Sequence, residues 1–379
     1  VRILFVTNEY PPLTSTGGIG TYVAETAPAL VRLGHEVHAV VCRRDVTTAD
    51  PMVDGVHVHL RTLRVRLDPL APLRPRLTLR RSLAAAARTA VADLGRFDVV
   101  EFADWSAHGH DLPRTQIPRR VAHLHTSLAA AATFERAANP LDLRACRAWE
   151  AAAVAGADVA ASPSQAILDL SLAAGLRPPP TTVIPIGIDT TRFTASALPS
   201  GPPRLLVAGR LIARKRADLV LEAITPLDLP TGTTVVLAGG TTQDRRGEQY
   251  TARLHELAAA SGVEVEFLGH VSADRMDAEY RASTAVIIPS DFESYSLVAL
   301  EALVRGRPVI ATEGVGATEF ISDVATVIPI KDPVVLGQAI DDLVNADDLA
   351  ERAAAGRELV LRDLDVTELA KRRLALYEP

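Results

Sequence analysis

Glu293 and Glu301, in the string Glu293-Ser-Tyr-Ser-Leu-Val-Ala-Leu-Glu301, bracket the predicted start of a helix. Ala285–Ile288 is an apolar run that predicts a buried strand; Pro289 and Ser290 end it, and a helical pattern runs from near Ser296 to Arg305. Leu297, Leu300 and Val304 fall at i, i+3 and i+7 and mark the core-facing stripe, with Glu301 at i+4 of the same stripe. A carboxylate placed there needs a hydrogen-bond partner. Glu293 sits in the loop one turn earlier, where the free N–H groups and dipole of a helix N-terminus attract an anion such as a phosphate. Ser296 is a good N-cap, so its side chain is expected to compete for those N–H groups. The alternative reading is a solvated Glu293 and a Glu301 paired with an arginine.

Cations follow another predicted strand, Leu205–Ala208, in Gly209-Arg210-Leu-Ile-Ala-Arg-Lys215-Arg216. Only Lys215, Lys331 and Lys371 are lysines among 40 basic residues, which suggests that a compact ammonium is wanted at Lys215; exposed surface charge is the alternative. After the first strand, Gly17, Gly18 and Gly20 open a helix and would let the backbone approach a ligand closely. Nine residues intervene between strand and glycines, so this is not a dinucleotide fingerprint. His123 and His125 project to one side of a strand predicted over Arg120–His125, and His108 and His110 repeat the spacing. A zinc site, and with it a zinc hydrolase, is therefore an alternative. The second pair lies in a helical or turning segment where i and i+2 do not face each other, and no metal ligand is assigned. Glu9, Glu101 and Asp104 lie at or just after strand ends, where they could hold a hydroxyl-rich or amine-bearing molecule such as a sugar or aminocyclitol.

The elements that must carry these residues alternate between short apolar runs and helical patterns, which predicts βαβ units and parallel sheets. Strands are expected near Ile3–Thr7, Glu36–Cys42, Val56–Thr62, Asp98–Phe102, Arg120–His125, Asp158–Ala161 and Thr182–Pro185. A second series is expected at Leu205–Ala208, Thr234–Ala238, Val263–Leu268, Ala285–Ile288, Pro308–Ala311 and Thr326–Ile328. The aperiodic stretch rich in Thr, Ser, Pro and Gly between them, ending at Pro203, reads as a linker. The expected organisation is two Rossmann-like domains, 1–185 and 186–363, with a C-terminal helix at 364–379 packing back on the first. Pro28 falls inside a helical pattern that ends at Gly34 and is expected to kink it.

With 379 residues the chain is long enough for two cores. Its net charge of −6 divides into 20 basic and 17 acidic residues over Val1–Pro185 and 20 and 29 over Ile186–Pro379, which is no nucleic-acid-binding profile. Arg61, Arg64, Arg66, Arg74, Arg76, Arg80, Arg81 and Arg88 make one basic stretch, read as a solvated loop and helix face; contact with an anionic membrane surface or capture of an anionic acceptor is the alternative. Cys42 and Cys146 read as reduced thiols, no apolar run reaches membrane-span length, and a cytoplasmic location is expected. The sequence carries no signal for an oligomeric state.

Glu293-Ser-Tyr-Ser-Leu-Val-Ala-Leu-Glu301 resembles the E-x7-E signature of retaining GT-B glycosyltransferases of the glycosyltransferase family 4 type, usually E-[GS]-F-G-L-x-x-L-E-A. Gly209-Arg210-Leu211 with Lys215 resembles the family's G-R-L-x-x-x-K-G, with Arg216 in place of the final glycine. Phe267-Leu-Gly-His-Val271 resembles F-L-G-x-V, Glu313 to Glu319 a late G-x-x-E loop, and Asn8 to Val23 the N-P-P…G-G opening. Ile186 and Ser296 stand where the family usually has Asn and Gly. The resemblance implies two Rossmann-like domains facing across a cleft, the first for an acceptor and the second for a nucleoside diphosphate sugar, UDP- or GDP-linked, with no other cofactor. It implies that Arg210 and Lys215 clamp the diphosphate, that Glu293 meets the donor sugar and Glu301 the ribose diol, and that His125 lies near the sugar. Gly17, Gly18, Val271, Tyr295, Ser296 and Leu297 complete the implied donor contacts. The implied reaction is metal-independent transfer with retention, and a nucleotide-sugar epimerase on the same fold is the nearby alternative.

Overall fold

The computed structural model describes residues 1–14, 17–63, 73–107, 109, 111–131 and 139–378, which group into two units, Val1–Asp189 with Val366–Pro379, and Thr190–Asp365. Each unit is an α/β sheet with its own core.

In the first unit the strands are β1 (Arg2–Thr7), β2 (Glu36–Arg43), β3 (Met52–Val53), β4 (Val56–Thr62), β5 (Val99–Ala103), β6 (Arg119–His123), β7 (Val159–Ser162) and β8 (Thr181–Val183). Their order is β3-β4-β2-β1-β5-β6-β7-β8, and every pairing is parallel except β3 with β4. Central strands such as β1 and β2 are buried along almost their whole length, which explains why they read as continuous apolar runs rather than as alternation. The short β3 adds to the expected strands: Asp54 and Gly55 at φ 49° and 81° form the two-residue turn that folds it back on β4, and the Asp-Gly pair is its sequence signal. The helix Gly18–Arg32 runs through Pro28 without interruption.

The basic stretch does not form one solvated face. Arg74, Arg76 and Arg81 are exposed, but Arg80 is buried and its Nη2 lies 2.8 Å from the fully buried Glu150, while Arg61 pairs with Asp50 at 2.7 Å. A buried carboxylate in the facing helix draws Arg80 inward, since leaving either charge unpaired there is costly. Arg64 and Arg66 lie outside the described residues. Cys42 and Cys146 are free and buried, and burial pushes their thiols up to about 12 and about 11, as for inert core cysteines.

The second unit contains β9 (Arg204–Ala208), β10 (Thr234–Ala238), β11 (Glu264–Gly269), β12 (Ala285–Ile288), β13 (Val309–Thr312) and β14 (Thr326–Ile328), in the order β11-β10-β9-β12-β13-β14. All five pairings are parallel. In both sheets the strand order reverses beside the first strand, between β1 and β5 in one and between β9 and β12 in the other. Such reversal points leave a crevice beyond the carboxyl ends of the strands, because the two adjoining connections leave on opposite faces. Among the described residues no helix is long and apolar enough to cross a membrane.

Candidate active site

At the β9/β12 reversal a small recess is lined by Gly209, Arg210, Lys215, Ser290 and Glu293 with apolar neighbours from both strands. Gly209 follows β9 at φ 125°, and a Cβ there would stand 2.9 Å from the Lys215 ammonium, so glycine both makes the turn and leaves room for the cation. Lys215 Nζ donates to Glu293 Oε1 at 3.0 Å, and the Ser290 hydroxyl donates to the same oxygen at 2.7 Å. Burial pushes the Glu293 carboxyl up, but Lys215, the Ser290 hydrogen bond and Arg214 outweigh it and hold the group below the usual carboxylate value. Arg210 is exposed at the rim and has no ion pair among the described residues. The backbone of Glu293 is fixed by the loop after β13, its N–H donating to Gly314 O at 2.8 Å and its carbonyl accepting from Gly316 N at 3.0 Å.

Glu301 lies on the helix Leu297–Val304, half-buried rather than in the core. The hydroxyl of Tyr280, a buried residue of the helix Ala273–Ala282, donates to Glu301 Oε2 at 3.0 Å. Arg305, one turn on, stacks on Tyr280 at 4.5 Å, gives Nε to Asp277 at 2.8 Å and gives Nη1 to the Glu301 carbonyl at 2.8 Å. Tyr280 had no signal in the sequence, because it is distant in the chain and looks like an ordinary core tyrosine.

Ser296 does not cap its helix. It sits at φ 96°, ψ 92°, makes no side-chain cap hydrogen bond, and its buried Oγ has no partner among the described residues. A capping serine needs extended backbone, which this position does not have. Arg216 is likewise left-handed, at φ 51°, ψ 40°, and is held by Asp218 at 3.1 Å and Asp291 at 3.3 Å. Both departures from glycine therefore fall at positive φ, where a side chain is strained. Tyr295 is buried and Leu297 half-buried beside Ser296; Val271 lies just past β11 and does not line the recess.

The first unit has its own small recess at the β1/β5 reversal, lined by Tyr22, Glu101, His123 and His125 among others. His125 comes two residues after β6, whose last residue is His123, so the strand is shorter than expected. His123 Nδ1 and His125 Nε2 are 2.9 Å apart, which commits these nitrogens to each other; among the described residues no group of three or more His, Cys, Asp or Glu could hold a metal. His108 and His110 lie outside the described residues. The mutual hydrogen bond of His123 and His125 gives the zinc reading no support.

Gly17 and Gly20 serve a different neighbour from the one expected. A Cβ on Gly17 would stand 2.1 Å from Glu9 Oε2 and one on Gly20 2.6 Å from Glu9 Cβ, so the missing side chains make room for Glu9; Gly18 faces open space. Glu101 is not available to a ligand: it is buried and accepts from the Tyr22 and Tyr377 hydroxyls, the latter at 2.7 Å, with Arg373 at 3.3 Å. Asp104 is also fully buried. Its Oδ1 accepts from Trp105 N at 2.7 Å and His125 N at 2.9 Å, Oδ2 has no side-chain or backbone partner among the described residues, and burial pushes its carboxyl up to about 7.

Comparison with known proteins agrees with this geometry. Residues 16–192 match the family model Glycosyltransferase Family 4 and residues 189–358 match Glycosyl transferases group 1. A D-inositol 3-phosphate glycosyltransferase of Acidothermus cellulolyticus is 30% identical over 83% of this chain and 75% of its own. A glycogen synthase of Mycobacterium tuberculosis is 29% identical over 100% of this chain and 94% of its own. Among solved structures, a sucrose-phosphate synthase from Thermosynechococcus elongatus superposes with TM-score 0.81 at 21% identity, covering 100% of this chain and 98% of that one. HepE of Anabaena in complex with UDP and glucose gives TM-score 0.73 at 20% identity over 99% and 98%. With two Rossmann-like sheets, a cation and acid cluster at the strand ends, and these relatives, the chain belongs to the GT-B glycosyltransferases of the family 4 and group 1 type.

Proposed function

We propose that the protein is a retaining glycosyltransferase that takes a sugar from a nucleoside diphosphate donor held by the second unit and delivers it to a small hydroxyl-bearing acceptor held by the first. The observation that carries this reading is the meeting of Arg210, Lys215, Ser290 and Glu293 in one recess at the β9/β12 reversal. Departure of a nucleoside diphosphate builds negative charge, and fixed cations stabilise it without reorganisation. In this reading Arg210 and Lys215 take the diphosphate, which leaves no step that needs a divalent metal. Glu293 then accepts hydroxyls of the sugar, and Glu301, oriented by Tyr280, accepts the ribose diol. Val271 and Tyr295 to Leu297 border the base and phosphates. No enzymic nucleophile stands among these groups, so the acceptor hydroxyl attacks on the face the diphosphate leaves, through an oxocarbenium-like transition state. A UDP-linked donor is favoured over a GDP-linked one by the likeness to HepE, whose structure holds UDP and glucose.

For the acceptor, Glu101 is already saturated and Asp104 is fully buried, which leaves His125, on the lining of the first unit's recess, as the side chain of interest. A sugar or aminocyclitol is the acceptor class favoured, because the inositol phosphate glycosyltransferase relatives act on a cyclitol by name. The test is a panel of nucleotide sugars scored by thermal shift and by slow donor hydrolysis, with and without chelator. One donor that stabilises the protein and is hydrolysed equally fast with chelator is the expected result. A panel that gives no shift overturns the proposal. Conversion of a donor to its epimer with no acceptor present would instead identify an epimerase.

A further inference from the structure

The buried cluster behind His125 contains a chain of nitrogens whose proton positions can be deduced. Arg373, on the C-terminal helix Val366–Tyr377, is buried and oriented by Glu101, with Nη1 3.3 Å from both carboxylate oxygens. Its Nη2 lies 3.4 Å from His123 Nε2, and His123 Nδ1 lies 2.9 Å from His125 Nε2. The Tyr22 ring stacks on His123 at 4.3 Å and meets His125 edge-on at 5.3 Å, which fixes both imidazole planes.

A guanidinium can only donate, so His123 Nε2 must be the acceptor. Both imidazoles are neutral: burial and the charge of Arg373 push His125 down to about 3, and burial, His125 and Arg373 push His123 well below its ordinary value. A neutral ring that accepts at Nε2 carries its proton on Nδ1, so His123 donates to His125 Nε2. His125 in turn carries its only proton on Nδ1, and no hydrogen bond among the described residues uses that nitrogen.

We propose that Arg373 and His123 are positioning residues that lock His125 as the Nδ1–H tautomer, so that it offers one N–H donor to an oxygen of the carbohydrate bound in the first unit. The proposal rests on the glycosyltransferase reading for its ligand, but the tautomer does not. The C-terminal helix thereby has a role in the site beyond closing the core, because the cation that orders the relay comes from it.

Long-range ¹H–¹⁵N spectra of the imidazoles at neutral pH test this on the full chain. Protonated Nδ1 is expected on both His123 and His125. A protonated Nε2 on His125, or an even mixture, overturns the proposal. His123→Phe keeps a ring against Tyr22 but breaks the relay. It is expected to give mixed tautomers at His125 and a kcat about tenfold lower, with donor KM changed less than about twofold. Arg373→Lys, which keeps a cationic donor beside Glu101, is expected to retain the Nδ1–H form and serves if the first variant does not fold. Mixed tautomers with wild-type kcat overturn the positioning role. Absence of sugar transfer by the wild-type protein counts against the glycosyltransferase reading alone, since the spectra need no turnover.

Discussion

The Lys215 ammonium and the Glu293 carboxylate form a 3.0 Å ion pair across the β9/β12 reversal, with side chains only 18% and 12% exposed. The pair has two consequences. It holds Glu293 ionised, and it points the ammonium into the recess where a diphosphate would share it. Lys215→Met should therefore lower kcat/KM by about 10²- to 10³-fold, the scale of losing one preorganised charge at a leaving group. Steady-state kinetics check this, and a change under about threefold would contradict the assignment.

Ser296 offers a test of the strain at the helix start. Its φ of 96° disfavours a side chain and its buried hydroxyl has no partner among the described residues, so Ser296→Gly removes two unfavourable features at the cost of some chain entropy. The variant should be more stable by about 1 kcal/mol in urea unfolding. Equal or lower stability would mean that the hydroxyl is satisfied in solution.

Both sheets are legible in the sequence because their strands are apolar runs bounded by turn residues, and three of the residues singled out by type and spacing, Arg210, Lys215 and Glu293, meet in one recess, whereas Glu301 does not line it. The sequence misled where a local pattern depended on a distant neighbour. Ser296 reads as a cap, but its backbone takes φ 96°, ψ 92° and its side chain makes no cap hydrogen bond. Arg80 reads as one arginine of a solvated row, but Glu150 draws it inside. Gly17 and Gly20 read as ligand-facing, but Glu9 fills the space. Glu101 reads as an acceptor contact, but a helix some 270 residues later covers it, with Arg373 and Tyr377 reaching back to the carboxylate. None of these relations has a local signature.

Glu301 should be tested together with Tyr280. Glu301→Ala removes the proposed bonds to the ribose diol, so nucleotide affinity should fall by about one to two powers of ten. It also leaves the buried Tyr280 hydroxyl without this acceptor, and stability should fall by about 1–3 kcal/mol. Adding Tyr280→Phe should recover most of that stability and none of the affinity. Calorimetric titration and melting of the single and double variants check both, and unchanged nucleotide affinity in Glu301→Ala would remove Glu301 from the donor site.

Asp104 predicts a pH dependence. Its folded pKa is raised to about 7 by burial, above the ordinary value of 3.8, so the folded state binds the proton more tightly than the unfolded chain. The favourable linkage is fully present below about pH 4 and is lost as pH rises through 7, an effect of at most about 4 kcal/mol. Asp104→Asn lacks this titration, so its stability relative to wild type should increase steadily between pH 4 and 7. Unfolding curves across that range check it; a constant difference would show that Asp104 has an ordinary pKa.

The stereochemistry of transfer tests the proposed reaction most directly. With an α-linked nucleotide sugar that the panel identifies as donor, ¹H NMR of the first sugar released, before mutarotation, reads its anomeric configuration without knowledge of the natural acceptor. Attack from the face of the departing diphosphate, with Arg210 and Lys215 holding that group, predicts the α-anomer. A β-anomer formed first would contradict the mechanism.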